Sequence, residues 1–154
     1  MGLSVQRPKG AGKTLFTPVC TLLYQSPEQL FSSANGYNEK ADIWSLGCIF
    51  YELLTGKVLF HSSKSKDQLV EFLLQGYGAE EFEKWQAGTK TDIFKKHSHR
   101  LRKIKSIFNW VRSFVKDPQA LDLLEKLLCL DPEVRLSAEE VLNHPFLNTC
   151  LEKK

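Results

Sequence analysis

Between Asn38 and Leu54, the residues Ile43, Leu46, Gly47, Phe50, Leu53 and Leu54 recur at three- and four-residue spacing. That is the period of an amphipathic helix. Trp44, Ile49 and Tyr51 widen the stripe over most of the helix circumference, which predicts burial at a domain centre, and Gly56 stands where a helix C-terminus wants glycine. Leu69, Val70, Phe72 and Leu73 predict a second helix from Lys66 to Leu74. Ile107, Phe108, Trp110, Val111 and Phe114 suggest a further one with a basic end. Asp117-Pro118 opens a helix that carries Leu121, Leu124, Leu127 and Leu128 inward, and Asp131-Pro132 closes it. Two capping signatures frame the pattern. Ser26-Pro27-Glu28-Gln29 starts a short helix ahead of a loop at Ser32, Ser33, Asn35 and Gly36; Ser137-Ala138-Glu139-Glu140 starts a last helix with Val141 and Leu142, which His144-Pro145 ends. Residues 75–105 read as less regular, interrupted by Gly76, Gly78 and Gly88. Sustained strand alternation is missing, so the expected class is mainly α.

Composition narrows the function classes. Of 154 residues, 42% are hydrophobic and 25% charged, which suits a packed domain rather than disorder. A net charge of +3 is too mild to mark a nucleic-acid or membrane-surface protein. The basic run 95–105 (Lys95, Lys96, Arg100, Arg102, Lys103, Lys105) reads as a solvated surface insert, with His97 and His99 exposed on it. The cysteines Cys20, Cys48, Cys129 and Cys150 form no C-x-x-C pair, so a zinc site is not expected. Without a secretion-like or membrane-length apolar segment, the expectation is reduced thiols in the cytoplasm or nucleus. Gly10-Ala11-Gly12-Lys13-Thr14 imitates the end of a phosphate-binding loop, but Arg7 occupies the position of its first glycine.

Three phrases occur in a telling order: Ser26-Pro27-Glu28, then Asp42-Ile43-Trp44-Ser45-Leu46-Gly47, then Asp131-Pro132-Glu133-Val134-Arg135 followed by His144-Pro145-Phe146. Together, over residues 2 to 148, they resemble the C-terminal lobe of a eukaryotic protein kinase. The resemblance implies a helical bundle around a buried central helix, with the N-terminal lobe absent. It divides the chain into an activation-segment-like loop (1–25), a partial kinase domain (26–148) with a basic insert at about 76–116, and a tail (149–154). Residue roles follow from the same likeness. Glu28 and Arg135 would form a buried ion pair. Asp42 would be a structural acceptor on the buried helix, serving backbone amides of a catalytic loop. Thr21 would sit beside the substrate hydroxyl, and Val19, Cys20, Leu22, Leu23 and Tyr24 would complete the substrate loop. Thr14 and Thr17 lie where kinases often carry an activating phosphate. Trp44 to Ile49 and Val58-Leu59-Phe60 look like the cyclin-dependent and mitogen-activated group, although Gln25 replaces that group's usual arginine; Tyr37 to Lys40 is reminiscent of never-in-mitosis kinases.

Other family parts are not encoded. The glycine-rich loop, the phosphate-holding lysine and the H-R-D catalytic loop are missing from these residues. Gly2-Leu3-Ser4 looks like the continuation of the D-F-G phrase, with Met1 at the phenylalanine position and the magnesium-binding aspartate not encoded. ATP and Mg2+ are therefore implied for a full-length family member, while this chain alone is expected to hold no metal or cofactor and to transfer no phosphate. The expected partners are a protein substrate or docking protein; nucleic acid and membrane are not. The alternative is a noncatalytic, pseudokinase-like binding module. Trp44, Phe50, Phe108 and Trp110 are expected in the core. Without its usual cover, the central helix should leave Ile43, Trp44, Leu46 and Phe50 partly exposed and prone to association.

Overall fold

The computed structural model describes residues 21–31, 36–101 and 107–151, the side chains of 107–110 and 149–151 excepted. Thr14, Thr17, Val19 and Cys20, and the side chains of Phe108 and Trp110, lie outside the described residues. Among the described residues the structure is helical, and no strand forms. After a 3-10 turn at Leu22–Tyr24 come α1 (Pro27–Leu30), α2 (Lys40–Thr55), α3 (Lys66–Lys84), α4 (Gln86–Thr89) and α5 (Asp92–His97). A second 3-10 turn at Ser98–Arg100 leads to α6 (Ile107–Phe114), α7 (Pro118–Leu127), α8 (Ala138–Leu142) and α9 (Pro145–Leu151).

The capping signals act as the sequence predicts. The Ser26 N–H donates to Gln29 Oε1 at 3.0 Å, and the Ser137 N–H donates to Glu140 Oε2 at 2.7 Å. Asp117 Oδ1 accepts from the N–H groups of Gln119 and Ala120, so α7 begins with two of its unpaired donors satisfied. Gly56 takes φ 68° and returns its N–H to Glu52 O at 2.8 Å.

The central helix α2 is buried on one face only. Ala41, Ile43, Trp44, Gly47, Cys48 and Tyr51 are covered, whereas Leu46 (41%), Ile49 (45%) and Leu53 (79%) are exposed. Two expectations are corrected here. The helix is not enclosed all round, and Ile43 and Trp44 are fully packed rather than partly exposed; of the residues expected to be uncovered, Leu46 is exposed and Phe50 half-buried. The buried face meets α7 and the α3 region. Trp44 stacks on Phe60 with centroids 6.2 Å apart and planes 2° from parallel, and the Tyr77 hydroxyl donates to Leu128 O at 2.5 Å. Burial pushes the Tyr77 phenol well above the usual tyrosine range, so it remains a donor.

Residues 75–101 depart most from expectation. Instead of an interrupted, less regular stretch, α3 continues to Lys84 through a break at Gly78 (φ 74°), and three short helical segments follow. The break re-aims the chain so that Phe82 and Trp85 enter the core. Phe31 packs edge-on to Trp85 at 5.6 Å and against Phe82 at 5.5 Å; Phe94 lies 5.4 Å from Phe82. His97 is buried on α5 rather than exposed in a loop, while His99 is exposed. His144-Pro145 also differs: it ends α8 but opens α9, because proline fits a first helical turn.

Candidate functional site

Asp131-Pro132 turns the chain after α7. Asp131 Oδ1 accepts from the Glu133 N–H at 3.0 Å, and its carbonyl accepts from the Arg135 N–H at 3.1 Å. The tight turn aims Arg135 inward, where it is 1% exposed. A buried guanidinium needs an acceptor for each of its five N–H groups. Arg135 makes five hydrogen bonds: Nη1 to Glu28 Oε1 (2.8 Å) and Lys40 O (2.7 Å), Nη2 to Glu28 Oε2 (2.9 Å) and Leu130 O (3.2 Å), and Nε to Cys129 O (2.9 Å). Its guanidinium carbon also lies 5.3 Å from the Trp44 ring centroid. Lys40 answers in kind, since its ammonium donates to Arg135 O. Glu28 sits in the first turn of α1, a favourable place for a carboxylate, and is 2% exposed. The fork–fork geometry thus locks the segment around α1 to the C-terminal third of the chain.

Upstream of this clasp, the turn of Leu22–Tyr24 lies against α2. The Ser45 hydroxyl donates to Tyr24 O at 2.8 Å, and the Tyr24 hydroxyl donates to Glu52 Oε2 at 3.0 Å. Leu22 and Leu23 are half-buried against the core, while Thr21 is exposed at the head of the turn. The Glu52 carboxylate, first by its hydrogen bond and then with some burial, raises the Tyr24 pKa above the usual tyrosine value. Glu52→Gln should therefore return the Tyr24 titration toward the ordinary range, read by NMR of ring-labelled tyrosine. An unchanged titration would mean that the contact is not made in solution.

The structure thus brings Glu28 and Arg135 together and pins Leu22, Leu23 and Tyr24 onto α2. Asp42 is exposed on α2, and no described element covers that side. Two contributors went unread in the sequence. Lys40 and Glu52 carry no local signal, since their partners lie 95 and 28 residues away. Among the described residues no cluster of His, Cys, Asp and Glu could hold a metal ion, and no helix is long and apolar enough to cross a membrane.

Comparison with known proteins agrees with this geometry. The protein kinase domain family matches residues 2–147. The chain is 38% identical over 128 residues to Mitogen-activated protein kinase 10 of Oryza sativa subsp. japonica, which covers 83% of this chain and 21% of that protein. It is 36% identical over 132 residues to Mitogen-activated protein kinase pmk-1 of Caenorhabditis elegans, covering 84% of this chain and 33% of that protein. The chain therefore spans between a fifth and a third of the length of these relatives. With the helices, the order of the motifs and the buried pair in place, the match over residues 2–147 shows that the chain belongs to the protein kinase family.

Proposed function

We propose that these residues form the substrate-side lobe of a serine/threonine protein kinase, working with ATP and Mg2+ only when joined to a nucleotide-binding lobe and catalytic loop. The observation that carries the reading is the coupling of the turn Leu22–Tyr24 to α2, next to a clasp in which Glu28 and Arg135 are both buried. A turn anchored to α2 through Tyr24 can hold an extended protein segment with its hydroxyl beside Thr21. Binding geometry of this kind is the lobe's share of phosphoryl transfer, which depends on positioning together with charge stabilisation.

The transfer chemistry itself needs a base, metal-holding carboxylates and a phosphate-holding cation. None of the residues in the described site takes those roles. The 154-residue chain alone should accordingly give no phosphate incorporation above background in a radiolabelled-ATP assay with generic protein acceptors. Turnover that is abolished by Thr21→Ala would overturn the reading. The mitogen-activated names of the relatives favour a place near that group, and an intracellular setting goes with it. Asp42 in this reading meets a catalytic loop supplied from outside these residues. The noncatalytic alternative draws on the exposed Leu46, Ile49 and Leu53, an apolar face suited to docking another protein.

A further inference from the structure

The junction between α5 and its 3-10 turn is held to α3 by the Phe94–Phe82 ring contact and by a set of charges. Lys96 Nζ lies 3.6 Å from Asp67, and Arg100 Nη2 lies 3.6 Å from Glu71. Between them the buried His97 ring faces both carboxylates, Nε2 at 3.3 Å from Asp67 and Nδ1 at 3.9 Å from Glu71. The Lys96–Asp67 and Arg100–Glu71 pairs are long and solvent-exposed on the cation side, so each stabilises the docking only modestly. Ser98 follows His97 in the chain and is half-buried, its hydroxyl donating to Lys95 O at 3.1 Å at the end of α5. Around it in sequence stand Lys95, Lys96, His99 and Arg100.

We propose that Ser98 is a phosphoacceptor site whose modification releases residues 92–100 from α3. The cationic run suits a separate protein kinase that selects lysine- or arginine-flanked serines through its own acidic groups. The Ser98 oxygen would attack the γ-phosphorus of ATP on that enzyme. An O–P bond forms, the bond to the bridging β–γ oxygen breaks, ADP leaves with that electron pair, and the hydroxyl proton passes to the enzyme's base. The product carries between one and two extra negative charges.

Three effects of that charge act in one direction. A phosphate at the C-terminal end of α5 opposes the helix dipole. It repels Asp67 and Glu71, the carboxylates that hold the junction. It also competes for Lys96 and Arg100, which now serve those carboxylates. The hydroxyl's own bond to Lys95 O is lost as well. Release would withdraw Phe94 from Phe82 and expose His97.

The test uses the full 154-residue chain, ATP and a basic-directed serine/threonine kinase, with intact-mass and peptide mass spectrometry. One phosphate on Ser98 is expected, absent from Ser98→Ala. Limited chymotrypsin digestion then reads the release. Cleavage after Phe94 should accelerate about tenfold on phosphorylation, as expected when two exposed ion pairs are lost and cleavage tracks the open population. Ser98→Glu should show part of the same acceleration, and Asp67→Asn/Glu71→Gln should reproduce it without phosphate. No incorporation at Ser98, or incorporation with unchanged cleavage, would overturn the proposal.

Discussion

Replacing Arg135 with alanine should lower the stability of the chain by about 3–5 kcal/mol. The substitution strands the Glu28 carboxylate in a site where both side chains are almost inaccessible, 0% and 1% exposed. It also orphans three carbonyls, those of Lys40, Cys129 and Leu130, that now accept from the guanidinium. An unpaired buried carboxylate is costly, and its charge cannot be relocated without moving α1. Arg135→Lys should recover only a minor part. An ammonium is a point charge with three donors and cannot present a planar fork to both Glu28 oxygens. Urea denaturation at neutral pH reads both changes. The pair Glu28→Gln with Arg135→Met should cost less than the sum of the single substitutions, because each single leaves the other partner buried and unmatched. If Arg135→Ala costs less than about 1 kcal/mol, the clasp is not the tie that its geometry implies.

The second large effect concerns the segment that the sequence left irregular. Trp85→Ala should cost about 3–5 kcal/mol, the range for truncating a fully buried large aromatic. Its indole packs edge-on to Phe31 and lies 6.2 Å from Phe82. It also fills the space beside Gly88, where a Cβ would stand 2.2 Å from Trp85 Cε3 and 2.4 Å from Cζ3. Gly88→Ala alone should therefore cost about 1–3 kcal/mol by overpacking. In the Trp85→Ala background the same change should be nearly neutral, since the clashing ring is gone. Additive costs would show that the two residues do not meet. Thermal or chemical denaturation of the four proteins measures the cycle.

These two sites mark where the sequence was informative and where it was not. Ser26, Gln29, Asp117, Ser137 and Glu140 act within a few residues of themselves, so their capping roles were legible from spacing alone. The pairing of Glu28 with Arg135 spans 107 residues and became legible only through the resemblance carried by the surrounding phrases. Nothing comparable flagged Phe82, Trp85 and His97. Their burial depends on Phe31 and α3, and on a glycine break that periodicity reads as an interruption. On α2, hydrophobic spacing reported which surfaces are apolar but not which of them are covered. That is why Trp44 is packed and Leu53 is not, although both lie in the same apolar pattern. Asp42 is exposed among the described residues for the same reason, since cover is a property of neighbours rather than of its own helix.

The division of labour proposed for this lobe is tested most directly by completing it. A nucleotide-binding lobe and catalytic loop from an active protein kinase, ending in Asp-Phe, would be joined ahead of Gly2. Transfer of the ATP γ-phosphate to serine or threonine of a protein acceptor is then measured beside the unextended chain. The expected result is transfer by the folded chimera, none by the chain alone, and loss of transfer from the chimera when Arg135 is replaced by alanine. A chimera that melts cooperatively, binds ATP and still transfers nothing would contradict a catalytic role for these residues and favour the noncatalytic binding module.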